Sequence, residues 1–250
     1  MRPGKNQLGA KYGDEMRQEK GDVNLWKLFG IYLSWLAINE LTPRLNQIID
    51  LKKVNHNIWP AVEMALILPV TCAYVRYSEN ESFLSGFNLS FRNIGQNLLW
   101  ALLFFSLALA VEAAFQFLVF MPIAQKMVVP SGAVSQEVIR PFLDRLVEYL
   151  YVVYEGIIEV LVFIGFLFDR LARKWDWKRA LIVSNLGFAL WHYNYWSKGR
   201  LEGSLTVLMV FIAGSIITLS YWKTRNTLSP LICHTLVDFP SEIRHLMGGI

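Results

Sequence analysis

Cysteine is scarce in this chain. Cys72 and Cys233 are the only two in 250 residues, and both lie in apolar segments. That leaves no disulfide framework and no paired-thiol zinc spacing, so both read as packing residues. No His-Glu-x-x-His helix is present either. A cleavable signal peptide is also missing, because the opening "MRPGKNQLGAKYGDEMRQEKGDVN" is polar throughout and lacks an apolar core followed by small residues. There is no internal repeat, low-complexity tract or linker that would divide the chain. The net charge of +4 is scattered among loops without a polar folded domain to carry it, so nucleic acid is not an expected partner.

Apolar residues, by contrast, are abundant. They make up 54% of the chain, and the mean hydropathy is +0.34, a composition that ordinary soluble domains rarely show. Apolar stretches run over Leu25–Leu41, Ile58–Tyr77, Leu98–Ala124, Leu146–Phe168, Ala180–Trp196, Leu205–Trp222 and Leu228–Leu246. Each is about the length that crosses roughly 30 Å of hydrocarbon. The expectation is an all-α, polytopic integral membrane bundle of about seven transmembrane helices, within a range of six to eight. Residues 1–24 read as a polar cytoplasmic tail and 25–250 as the transmembrane domain. The excess of Lys and Arg on alternate loops puts the N-terminus in the cytoplasm, and the cell membrane is the expected location. "VPSGAV" at 129–134 breaks the apolar pattern, and the amphipathic "SQEVIRPFLDRLVEYL" after it suits a helix lying along the membrane surface. "DRLARKWDWKR" at 169–179 reads as a headgroup-level cytoplasmic loop.

Ionisable residues inside hydrocarbon are costly and are functional candidates by default. Here they are Glu63, Glu112, Glu155, Glu159, His192, His234 and Asp238. Three pairs share a four-residue spacing: Glu155 with Glu159, Phe188 with His192 in "FALWH", and His234 with Asp238 in "HTLVD". That spacing puts both members on one helix face, so three helices can each turn a polar stripe to one cavity. A carboxylate beside an imidazole can activate water, and a second imidazole oriented by an acid can donate to an oxyanion. Each pair on its own also fits hydrogen-bonded packing. Glu63 and Glu112 have no such partner; Glu112, in "LALAVEAAF", reads as a packing or cavity-lining residue.

Taken together and in order, these elements resemble the CPBP family of intramembrane proteases, which includes the type II CAAX prenyl endopeptidases and the bacteriocin-processing and abortive-infection proteins. The resemblance covers roughly 146–240. It rests on a glutamate helix ending in Gly-Phe-Leu-Phe, a basic loop, "FALWH", the approach "TRNTLSPLICH", and "HTLVD". The family's first motif is Glu-Glu-x-x-x-Arg followed by Gly. Aligning that glycine with Gly165 sets Glu159 at the first glutamate, Val160 at the second and Ile164 at the arginine. Two members of the motif are therefore apolar here. They stand one helical turn apart, so their joint loss resembles the replacement of a buried ion pair, which is often neutral, whereas losing one member strands a charge.

The resemblance implies peptide-bond hydrolysis by a glutamate-activated water, with no cofactor. Glu159 and His192 would activate the water; His234 and Asp238 would stabilise the oxyanion; Glu155 and Phe188 are possible supporting residues. A three-ligand zinc site of one Glu and two His is the competing arrangement. The implied partners are the bilayer and a membrane-associated peptide or protein. The rival reading is a catalytically silent member acting as an adaptor, scaffold or immunity protein, and a transporter is a weaker third because no inverted repeat is visible. Substrate and oligomeric state stay open. Treated as straight rods, the helices put His192 about 10 Å deeper than Glu159 and His234, so a common site requires tilt, a broken helix or a late helix start.

Overall fold

A computed structural model describes residues 23–49, 58–126, 150, 153–192 and 199–246. The expected N-terminal tail up to residue 22, the amphipathic segment apart from its last residue, and "YNYW" at 193–196 lie outside the described residues. Among those described, all regular structure is helical. Helix α1 is Leu25–Ile49 and α2 is Ile58–Ser78, with the four-residue α3 at Phe83–Gly86. Helix α4 is Ile94–Phe115, continued through a π-helical turn, Gln116–Phe120, into Met121–Lys126. Helix α5 covers residues 153–174 and is π-helical over Val160–Phe168. Helices α6, α7 and α8 are Trp177–Trp191, Arg200–Thr224 and Leu228–Leu246.

Each of the seven apolar stretches thus falls at least partly on a helix. Two helical segments, Ile94–Ile123 and Arg200–Thr224, are long and apolar enough to cross a membrane by length and composition. The first turns Leu98, Leu99, Leu102, Leu103 and Leu107 outward, an apolar surface too extensive for water and suited to lipid. Hydroxyls within the helices are satisfied locally: Ser34, Thr71, Ser106, Ser215 and Thr235 each donate to the carbonyl four residues earlier. Hydrocarbon supplies no other partner for them.

The centre of the bundle is α5. Every residue from Ile158 to Arg173 is buried, as a helix apolar all round requires. Its phenylalanines make edge-to-face contacts outward in several directions: Phe163 with Trp35, Phe188 and Trp191, Phe166 with Trp35 and Tyr74, and Phe168 with Tyr221. Such pairs add about 0.5–1.5 kcal/mol each beyond the area they bury.

Below this apolar length α5 ends in charge. Arg170 is fully buried; it donates to Glu79 Oε2 at 2.5 Å and Oε1 at 3.2 Å, and to the carbonyls of Gly86 at 2.5 Å and Gly165 at 3.2 Å. Asp169 pairs with Arg173 and accepts from the Tyr221 hydroxyl at 2.6 Å, while Tyr221 in turn accepts from Asn88. Burial alone would lower the Arg170 pKa, but the Glu79 hydrogen bond with the Asp169 and Glu81 charges outweighs it and holds the group above its ordinary value. One knot therefore ties α5 to α7 and to the segment between α2 and α4.

That segment also determines where α8 begins. Thr227 donates to the Phe87 carbonyl through its hydroxyl and to the Asn88 carbonyl through its N–H at 3.0 Å. Asn226 donates to the Ser90 carbonyl at 2.6 Å and accepts from the Ser90 N–H at 3.0 Å. The start of α8 is consequently sunk into the bundle beside Gly165, where a Cβ would come within 2.9 Å of both the Phe87 carbonyl oxygen and Thr227 Oγ1.

The expected loop at 169–179 is corrected by the structure. Helix α5 continues to Lys174, and α6 starts at Trp177 with Asp176 as N-cap, accepting from the N–H groups of Lys178 and Arg179. Buried pairing of Asp169, Arg170 and Arg173 lets charged residues extend a helix that composition alone would end at Phe168.

Replacing Arg170 by Met should strand Glu79 and two buried carbonyls and destabilise the protein by about 3–5 kcal/mol. Arg170→Lys should rescue little of this, because an ammonium cannot satisfy the Glu79 fork and the carbonyls together. Unfolding of the detergent-solubilised chain measures both.

Candidate functional site

Glu159 lies in the middle of the bundle, at the last α-helical position before the π-helical segment of α5. Its side chain is buried. One oxygen, Oε1, is 3.5 Å from His192 Nε2, and the other, Oε2, is 3.7 Å from His234 Nε2. His234 Nδ1 is 3.2 Å from Asp238 Oδ2; this is ion-pair reach, though the angle falls outside hydrogen-bond geometry. The four residues of the three motifs thus form one chain, His192–Glu159–His234–Asp238, contributed by α5, α8 and the end of α6.

The depth mismatch expected of straight rods disappears for two reasons. Helix α5 extends past Phe168, so Glu159 and His192 each stand fifteen residues from the ends of their helices at Lys174 and Trp177. The late start of α8 does the rest. Thr227 is level with Gly165, and Glu159 and His234 lie six and seven residues further on along antiparallel helices. Close approach continues at Gly156, where a Cβ would come 2.8 Å from His234 Nδ1 and 3.3 Å from Asp238 Oδ2. A side chain there would push the imidazole aside.

His192 caps the C-terminus of α6. Its Nδ1 is 3.0 Å from the Phe188 carbonyl, which can only accept, so the Nδ1 proton is held there and Nε2 is turned to Glu159. The Phe188 ring stands edge-on to His192 at 4.8 Å and to His234 at 6.3 Å. Phe188 therefore orients both rings, a role visible in sequence only as a motif position.

Val160 and Ile164 are both buried, and both line a narrow gap together with Glu159, Phe188, Gly214 and His234. A second gap beside Glu159, too tight for a water-sized sphere, is lined by Trp35, Met64, Ile67, Ile158 and Trp191, among others. Among the described residues, no three His, Cys, Asp or Glu side chains are arranged to hold a metal ion.

Glu155 is half-buried one turn before Glu159, and its charge acts on Glu159 along with those of Asp238, Glu63 and His234. Glu63 had no motif to mark it, yet α2 carries it into this neighbourhood. Its one available signal was an acid in an apolar run. Glu112 is in neither the site nor the packing, since its side chain is on the exposed face of α4.

Residues 143–240 match the family model described as Type II CAAX prenyl endopeptidase Rce1-like. The match spans less than half of the chain and covers the stretch that carries all three motifs. No curated protein and no solved structure matches the chain.

With Val160 and Ile164 facing one buried space, Val160→Glu alone should destabilise the protein by about 3 kcal/mol or more, the usual cost of an unpaired buried charge. Adding Ile164→Arg should restore part of that loss. Equal stability of the single and double variants would show that the two positions are independent.

Proposed function

We propose that this protein is an intramembrane endopeptidase that hydrolyses a peptide bond of a membrane-associated peptide or protein, using a water activated by Glu159 and His192. The observation that carries the reading is the buried Glu159 carboxylate between two imidazole Nε2 atoms, at 3.5 and 3.7 Å. A water lying beside this pair can hydrogen-bond to both the carboxylate and the imidazole. With its Nδ1 proton held by Phe188, His192 offers Nε2 to that water.

In the reaction, Glu159 and His192 take a proton from the water as its oxygen adds to the scissile carbonyl carbon. His234, when its ring carries both protons, donates from Nε2 to the developing oxyanion, and Asp238 beside Nδ1 steadies the ring. Collapse of the tetrahedral intermediate breaks the C–N bond, and the proton taken from water goes to the leaving amine. In the competing version, zinc bound by Glu159, His192 and His234 would polarise the carbonyl or the water. The reading adopted needs only the chain's own groups. We place about seven spans in the cell membrane with a cytoplasmic N-terminus, and nothing in the chain signals a lipidated substrate.

A specific observation favours a second reading, a silent membrane adaptor. Two positions of the family's first motif are the buried apolar residues Val160 and Ile164. Against this stands the cost of keeping an acid and two histidines assembled inside an apolar bundle with no chemistry to perform.

Membranes from cells expressing the wild-type chain, Glu159→Gln and His192→Ala should differ in their N-terminal peptide maps. Wild-type-specific cleavage products should fall at least ~100-fold in both variants, the low end of what a general base contributes. Identical maps in all three would establish the adaptor. A chelator that removes zinc should leave the wild-type products unchanged; their loss would assign the site to a metal.

A further inference from the structure

The largest open space in the bundle lies away from Glu159. It is a cleft of about 480 Å³ between the start of α1 (Leu25, Trp26, Phe29), the end of α5 (Leu171, Trp175) and α6 (Val183), within the ~300–1,000 Å³ range of small-molecule sites. The described residues that line it include no charged side chain. Its inner end is shut where the Tyr32 hydroxyl donates to the Gly187 carbonyl at 3.1 Å. A Cβ on Gly187 would come 3.3 Å from the Tyr32 ring, so the ring closes onto bare backbone. From Leu25 to Tyr32, and from Trp177 to Gly187, the lining covers about 10–15 Å of helix. The flank is open: Trp26, Phe29 and Val183 are 84%, 53% and 43% exposed, a surface suited to hydrocarbon rather than water.

The mouth of the cleft is of opposite character. Lys174 follows Leu171 by three residues and Leu167 by seven, and Arg179 precedes Val183 by four, spacings that keep each on the helix face lining the cleft. Across the turn at 174–179, Lys174, Lys178 and Arg179 outnumber the one acid, Asp176. Asp176 pairs with Arg179 at 3.1 Å with both side chains exposed, an arrangement that holds little energy and leaves the guanidinium open to a second anion. This end of the bundle is also banded with tryptophan. Trp177 stacks on Trp222 with ring centres 5.1 Å apart, the Arg225 guanidinium lies 3.5 Å from the centre of Trp222, and the Lys223 ammonium 5.8 Å from that of Trp100. Tryptophans interleaved with cations mark the level of lipid headgroups, so the cleft descends from that level along the apolar length of α1 and α6.

An apolar slot under a basic rim is complementary to a molecule with a hydrocarbon tail and an anionic head. A polar peptide would bury backbone groups against walls that offer them no partner, and a free anion would leave the slot unused. We propose that the cleft binds an anionic phospholipid, with one acyl chain between α1 and α6 above Tyr32 and the phosphate at Lys174 and Arg179. The site requires that the chain lie in a bilayer and requires nothing of the hydrolytic reading.

The test titrates the full-length, detergent-solubilised chain with phosphatidylglycerol or phosphatidylcholine of identical acyl chains and reads the apparent unfolding temperature, which rises when the folded state binds. Phosphatidylglycerol should half-saturate at a concentration at least about tenfold lower, since each interfacial cation favours an anionic lipid. Glycerol 3-phosphate, a head without chains, should not stabilise. Lys174→Gln with Arg179→Gln should abolish most of the preference, whereas Arg92→Gln with Lys223→Gln, which removes the same charge from segments that do not line the cleft, should keep it. Val183→Trp, which fills the slot at an exposed position, should weaken both lipids several-fold. Equal half-saturation by the two lipids would overturn the site, as would a preference lowered equally by both charge pairs, a Val183→Trp chain that binds like wild type, or glycerol 3-phosphate acting as well as the lipid. Lys174 is half-buried; should its variant not fold, Lys178→Gln with Arg179→Gln, both exposed, takes its place with the same expected loss. No hydrolysis is read, so a chain that cuts nothing leaves the lipid site standing.

Discussion

The buried guanidinium of Arg170 is the interaction on which the rest of the bundle depends. A charge with no access to water has to be met by the fold, and it is met by Glu79, Gly86 and Gly165 from two separate parts of the chain. Holding Gly86 brings the following residues, Phe87 to Ser90, against the turn at 226–227. That turn sinks the start of α8 to the level of Gly165, and His234 then arrives beside Glu159. A polar knot at one end of α5 thus sets the register of the acid–imidazole cluster about three turns away. Ion pairs in apolar surroundings add little net stability, but they tolerate few alternative arrangements, and register is what this site requires.

The site itself shows how an apolar bundle accommodates charge. Glu159 is surrounded by Phe163, Phe188, Ile158 and Val162, and among the described residues each of its two oxygens faces an imidazole. Glycines at 156, 165 and 214 let α8, the 87–90 segment and α6 come close enough for those contacts. The π-helical run that begins at Val160 changes the direction of side chains just after the glutamate, a feature often associated with functional sites. Val160 and Ile164 turn apolar side chains to a gap beside the glutamate, and the charges of Glu155 and Glu63 act on Glu159 from other positions.

Helices were legible from apolar runs, because length and hydropathy act locally. The pairing of Phe188 with His192 and of His234 with Asp238 was legible as motifs at four-residue spacing, since helix geometry makes such residues neighbours. Other features were not. The extension of α5 through Asp169, Arg170 and Arg173 reads as a loop in sequence because the Glu79 and Glu81 carboxylates that pair with the arginines and the Tyr221 hydroxyl that donates to Asp169 are far away in the chain. Glu63 stood out only as an acid in an apolar run for the same reason: nothing near it in the chain places it with Glu159. Glu112, an acid in an equally apolar run, is on the exposed face of its helix.

Sequence by itself determined the apolar, all-helical class of the protein and its helical segments, because these depend on composition and local hydropathy, and it named the candidate residues of the site from four-residue spacing and the resemblance. Tertiary structure alone decided that these residues meet. Glu159, His192 and His234 reach one level only because α5 runs on to Lys174 and α8 starts inside the bundle. Both facts follow from buried contacts between distant segments, where close packing and the cost of an unsatisfied polar group leave a single register.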